Sequence, residues 1–147
     1  MVSGIKHPFL LILTLILSGR AMTLAFIFSA GGSAPADPPI AWLMPLLGDA
    51  VIGISALLIA YLVWRGSGLF AWTTIVVWNV LAIWDALSAF LIHQTVPWSS
   101  FFMIELFGSS MFFIASAMHL LCLYLVIRPQ TRASFLGKIQ ENMALAA

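Results

Sequence analysis

IAWLMPLLGDAVIGISALLIAYLVW, residues 40–64, reads as one helix with a single charge, Asp49, inside an otherwise apolar run. A helix rises about 1.5 Å per residue and crosses about 30 Å of hydrocarbon with about 20 residues, so this stretch can span a bilayer. Residues 8–30, 69–93 and 101–127 pass the same test. The breaks between them carry turn chemistry: Gly31-Gly32-Ser33 through Asp37-Pro38-Pro39, then Arg65-Gly66-Ser67-Gly68, then Thr95-Val96-Pro97-Trp98. Short links favour antiparallel neighbours in sequence order. The expected fold is therefore all-α and polytopic, a single domain over residues 1–147 built as an antiparallel bundle of four transmembrane helices.

Composition agrees with that reading. Of 147 residues, 63% are hydrophobic and 7% charged, with a mean hydropathy of +1.10, whereas about a quarter of a typical soluble chain is charged. So few charges cannot cover a water-soluble globule of this size, so the solvent is lipid. A net charge of +1 without a long basic run argues against a nucleic-acid partner. Cys122 is the only cysteine, which excludes an internal disulfide, a CxxC redox pair and a cysteine zinc site. No HExxH and no paired glutamate-histidine motif is present, and no metal site is expected.

The cations set an orientation. Lys6, Arg65, Arg128, Arg132 and Lys138 fall on one side of the predicted spans, and Asp37 is the charged loop residue of the other. Lys and Arg near span ends prefer the cytoplasm, so both termini are expected there, in a bacterial inner membrane. Trp42 and Trp98 would mark the outer headgroup level, and Tyr61, Trp64, Trp72 and Tyr124 the inner one. Lys6, an apolar stretch and the small residues of Ser18 to Ala21 also fit a cleaved signal peptide, although the apolar stretch continues past Arg20. Residues 130–147 form a weakly amphipathic tail after Pro129, with Phe135, Leu136, Ile139 and Met143 on one side; it reads as an interfacial anchor or as a frayed end.

Four charged residues lie inside the spans, each on a different helix: Arg20, Asp49, Asp85 and Glu105. Such groups cost about 2.5 to 3.5 kcal/mol each at mid-helix on insertion scales, so they turn inward and find partners. The rise per residue puts Arg20 about 15 Å below the outer boundary, Asp49 about 13 Å, Asp85 about 12 Å and Glu105 about 6 Å. Arginine stays protonated, so Arg20 needs an anion, and three carboxyls leave an excess of acid that must be protonated, hydrated or matched by a cation. Glu105, Ser109, Phe112, Ser116 and His119 repeat at helical spacing and are expected to line one inward face as an extended pathway. On the third span Thr74, Trp78, Asp85 and Ser88 share a face, with Asn79 pointing elsewhere; on the second, Asp49, Gly53, Ala56 and Ala60 do. Structural alternatives stay open. Asp49 after Pro45 fits a first-turn carboxylate, Glu105 an interfacial one, Arg20 with Asp85 a register-fixing bond, and the serines can bond to their own helix backbone.

His119 is placed in the inner half and His93 at the outer end, so the two cannot ligate one haem within a monomer. Ala89 precedes His93 by four residues, as Ala115 precedes His119. This resembles the alanine-xxx-histidine pattern of bacterial light-harvesting peptides, over five residues at a time, although those peptides cross the membrane once. The resemblance implies His119 or His93 as a tetrapyrrole ligand, with haem or bacteriochlorophyll as the group bound. The residues by themselves call for no cofactor.

The leading expectation is a proton- or cation-linked transporter or channel, a homo-oligomer or a member of a larger membrane assembly, using Arg20, Asp49, Asp85 and Glu105 as its ion site with Ser109, Ser116 and His119 extending the route. A second is a non-catalytic accessory subunit of a redox or pigment complex. The third, a lipid- or quinone-modifying enzyme with Glu105 or His119 as acid or base, lacks a nucleophile motif or cofactor fingerprint.

Overall fold

A computed structural model of the chain describes residues 7–65 and 67–145. All regular structure in the described residues is helical, and four segments are long and apolar enough to cross a membrane: Pro8–Ile27, Ile40–Arg65, Gly68–Thr95 and Ser110–Ile127. The chain is a small integral membrane protein built as a four-helix bundle.

The first span is composite. Helix α1 (Pro8–Leu17) starts with proline at its first position, passes into a 3-10 stretch at Ser18–Thr23, and resumes as α2 (Leu24–Ile27). The Ser18 and Thr23 hydroxyls donate to the carbonyls of Leu15 (2.6 Å) and Arg20 (2.8 Å), the local competition that tightens a helix. A short 3-10 turn, Ile40–Trp42, leads into α3 (Leu43–Arg65), and α4 (Gly68–Thr95) returns antiparallel to it. The fourth span is interrupted: α5 (Phe102–Phe107) stops at Gly108, whose φ of 57° and ψ of −150° suit glycine, and α6 (Ser110–Ile127) crosses the bundle. Helix α7 (Pro129–Leu145) then turns under the bundle, because Pro129 cannot continue α6.

Around the ring, α1 contacts α3, α3 contacts α4, α4 contacts α6, and α6 returns to α1. Buried Ala56, Ala60, Ala71, Ala82, Ala86 and Ala89 let the helices approach closely, which substitutes for a hydrophobic drive that lipid does not provide. The outer surface is apolar instead: Phe70, Met44 and Trp84 are 79%, 74% and 72% exposed. On the face bearing both described ends, Phe135 of α7 is buried against the core, His7 stacks on it at 5.5 Å, and the His7 ring bonds the Ser134 hydroxyl at 2.7 Å. Three arginines of this face lie over aromatic rings, Arg65 on Trp64, Arg128 on Tyr124 and Arg132 on Trp72. The tail is thus a docked helix over Pro129–Leu145, while Lys6, Gly66 and residues 146–147 lie outside the described residues, as do the side chains of Lys138, Ile139 and Met143.

Two expectations about the opposite, loop-bearing face need correction. Trp42 and Trp98 are 3% exposed each and do not face headgroups; their indole N–H groups donate to the carbonyls of Val96 (2.8 Å) and Ala36 (3.2 Å), pinning two loops over the bundle. The second correction is the fourth span. It crosses from Ser110 and not from residue 101, since Gly108 ends α5 about two turns into the predicted helix.

Candidate functional site

The 3-10 stretch of the first span delivers Arg20 to the bundle centre. Its backbone is held there by α3, where a Cβ on Gly53 would overlap the Arg20–Ala21 peptide, so glycine is what permits the approach. The Thr23 hydroxyl adds a second tie, with the Leu46 carbonyl of α3 at 3.2 Å.

From that anchor the guanidinium reaches across the ring to the diagonal helix. Its Nε donates to Asp49 Oδ1 at 2.5 Å and its Nη2 to Asp85 Oδ2 at 2.5 Å, with Nη2 also paired to Asp49 Oδ1. Its Nη1 donates to His119 Nε2 at 3.1 Å and to the Ala82 carbonyl at 3.4 Å. All five N–H donors of the group therefore have acceptors drawn from α3, α4 and α6. The three charged side chains are 12% (Arg20), 21% (Asp49) and 15% (Asp85) exposed. Gly48, next to Asp49, makes room for the second carboxylate, since a Cβ there would overlap the Asp85 side chain.

His119 is itself oriented. The Asn79 amide donates from Nδ2 to the Ile75 carbonyl at 2.9 Å, which leaves Asn79 Oδ1 to accept from His119 Nδ1 at 3.0 Å. His119 is then the neutral tautomer with its proton on Nδ1, and Nε2 presents a lone pair to Arg20. Trp78 crosses the imidazole edge-on at 5.0 Å and donates to the Ser55 hydroxyl at 2.9 Å, which closes that side of the ring.

The structure brings together three of the predicted residues, Arg20, Asp49 and Asp85, and adds His119. Glu105 is not among them: it lies on α5 with its side chain exposed, and Gly108 separates it from the helix that enters the bundle. Ser109, half-buried, sits at the break. The register set by Ser110 puts His119 only about 14 Å along the fourth span, level with Arg20, and not in the far half as the unbroken helix implied. Asn79 is another correction, buried and turned inward, because α4 packs against both α3 and α6 and buries a wider arc than one helix face. Thr74 and Ser88, expected on that face, are half-buried and bond back to the carbonyls of Phe70 (2.8 Å) and Trp84 (2.9 Å).

His93 is half-buried in a separate aromatic cluster on the loop side, 6.0 Å from the Trp42 ring and 5.5 Å from Phe112. Both nitrogens of His119 are spent on Asn79 and Arg20, which leaves no lone pair for the metal of a tetrapyrrole. Among the described residues no group of three or more His, Cys, Asp or Glu side chains is placed to hold a metal ion. Where the two carboxylates converge, the resident cation is the guanidinium. Compared with models of protein families, with curated proteins and with solved structures, the chain matches none.

Proposed function

We propose that this membrane protein is a proton-linked transporter or channel in which Asp49 and Asp85, clamped by Arg20, form the proton-binding site. The observation that carries this reading is the charge count at mid-membrane: one permanent cation faces two carboxyls in a medium with no bulk water to screen the surplus. One proton on the pair balances the site, and its release leaves a negative charge that the next cation must match. A proton suits the geometry better than a metal ion because the guanidinium already occupies the point of convergence. His119 and Asn79 act as positioning residues for Arg20. The placement of Arg65, Arg128 and Arg132 on the face of the described ends, opposite Asp37, supports cytoplasmic termini in a bacterial inner membrane. Four helices enclose little room, so a homo-oligomer supplies the passage in this account.

Reconstituted liposomes with an entrapped pH dye test it. Asp49→Asn and Asp85→Asn should each abolish the pH-driven flux of the wild type. Undiminished flux in both variants overturns the proposal.

One observation favours a second reading. The complete satisfaction of the guanidinium donors is what a structural clamp requires, and it suits an accessory subunit of a membrane redox or pigment complex that offers its apolar exterior to partner spans. Partner chains retained after mild solubilisation would support it; a particle that runs alone with no visible absorbance would contradict it.

A further inference from the structure

Among the described residues two buried side-chain polar atoms have no hydrogen-bond partner, His93 Nδ1 and Ser116 Oγ. Both lie on the same side of the Arg20 site. On α4, Asp85, Ala89 and His93 follow at intervals of four residues and share a face; on α6, Phe112, Ser116 and His119, spaced by four and then three, share one as well. Phe112 is level with His93, their rings 5.5 Å apart, so Ser116 stands between His93 and the site, about 6 Å further in along the axis. Ala89 and Ser116 are both small and both buried.

Ser116 departs from the rule that span hydroxyls bond to their own helix. Thr14, Ser55, Thr74 and Ser88 all donate to a carbonyl three or four residues back, at 2.8 to 3.1 Å. Ser116 is 6% exposed and makes no such bond. An unmade hydrogen bond on a buried group is costly, and ordered water is the usual partner where protein supplies none.

The other side of the site has a different character. Towards the terminal face lies an apolar cluster that includes Ile59, Ile75, Trp78, Cys122 and Val126, and the polar side chains of that half, Thr14, Ser55 and Asn79, all have hydrogen-bond partners.

We propose that His93 and Ser116 hold ordered water and form the route by which a proton reaches Asp85 from the loop face, with His93 at the entrance. A proton taken up at the outer edge of the His93 ring leaves from Nδ1 to the bound water; water passes one to Ser116 Oγ, which releases its own towards an Asp85 oxygen. The net event is transfer of one proton from outside water to a carboxylate, with only N–H and O–H bonds made and broken. The His93 ring packs against the Trp42 and Phe112 rings, and the ion pairs among the described residues, Arg20 with Asp49 and with Asp85, do not involve it. Asp85 faces Arg20 from the first span, and Asp49 of α3 and His119 of α6 share that guanidinium. This route rests on the proposed role of Asp85 as a proton site and replaces the entrance through Glu105 and Ser109.

Rapid-mixing infrared spectroscopy of the reconstituted protein, with isotope-labelled aspartate, reads both claims separately after a pH jump. The protonated-aspartate carbonyl band should appear in the wild type and vanish in Asp85→Asn. In His93→Phe, which keeps the ring packing, and in Ser116→Ala, the band should reach full amplitude about tenfold more slowly. A band that persists in Asp85→Asn, or is absent from the wild type, removes the site and the route together. A band lost in Asp85→Asn but formed at wild-type rate in both His93→Phe and Ser116→Ala leaves the site standing and overturns the route. Loss of amplitude in either slow variant also overturns it, since an entrance sets the rate and not the end point.

Discussion

Two of the four spans are interrupted, and the interruptions have opposite effects. In the first span the 3-10 stretch Ser18–Thr23 carries Arg20 into the bundle, and Gly53 of α3 holds its backbone there. In the fourth, Gly108 turns the chain so that Glu105 stays outside and His119 arrives at the level of Arg20. One break places a charge in the low-dielectric interior and the other keeps a charge out of it. The number of charges at the centre, one cation and two carboxyls, therefore depends on backbone geometry as much as on composition.

The comparison yields graded expectations. Arg20→Leu should have the largest effect, because it leaves two carboxyls unpaired; removing one partner of a buried pair costs about 3–5 kcal/mol. Unfolding in mixed micelles reads this, and adding Asp49→Asn and Asp85→Asn to the same chain should recover part of the loss. Gly53→Ala comes next: the added methyl meets backbone and not a yielding side chain, so overpacking of about 1–3 kcal/mol is expected in the same assay, with weaker protection of the Arg20–Ala21 amides from exchange. Gly108→Ala should cost about 1–3 kcal/mol as well, because only glycine takes its backbone angles without strain. A Gly108→Ala protein as stable as the wild type would mean that the fourth span does not break there. Glu105→Gln should be the smallest, within about 0.5 kcal/mol and without effect on proton-linked flux, as for an exposed residue with no partner to lose.

The same two interruptions mark the limit of what the sequence reveals. Arg20, Asp49 and Asp85 can be matched from the sequence, because each is an isolated charge in an apolar helix and lipid leaves it nowhere else to go. The presence of four spans is equally legible from length and hydropathy, but the start of the fourth is not. Residues 101–127 read as one unbroken helix, which groups Glu105 with those three residues and sets His119 too deep. Nothing in the sequence but Gly108 itself signals the positive φ, and glycine is common in spans that do not break. Asn79 falls outside the single face that helical periodicity picks out, whereas α4 packs against both α3 and α6. The roles of Gly48 and Gly53 were invisible for another reason: they depend on which backbone or carboxylate comes close, and helical periodicity carries no such information.

A pair of double-mutant cycles tests the central claim most directly, measuring unfolding free energy for Arg20→Gln with Asp85→Asn and for Arg20→Gln with Glu105→Gln. The account predicts a coupling of about 0.5–3 kcal/mol for the first pair, as for side chains in direct contact, and none for the second. Coupling of Arg20 to Glu105 that equals or exceeds its coupling to Asp85 would contradict it.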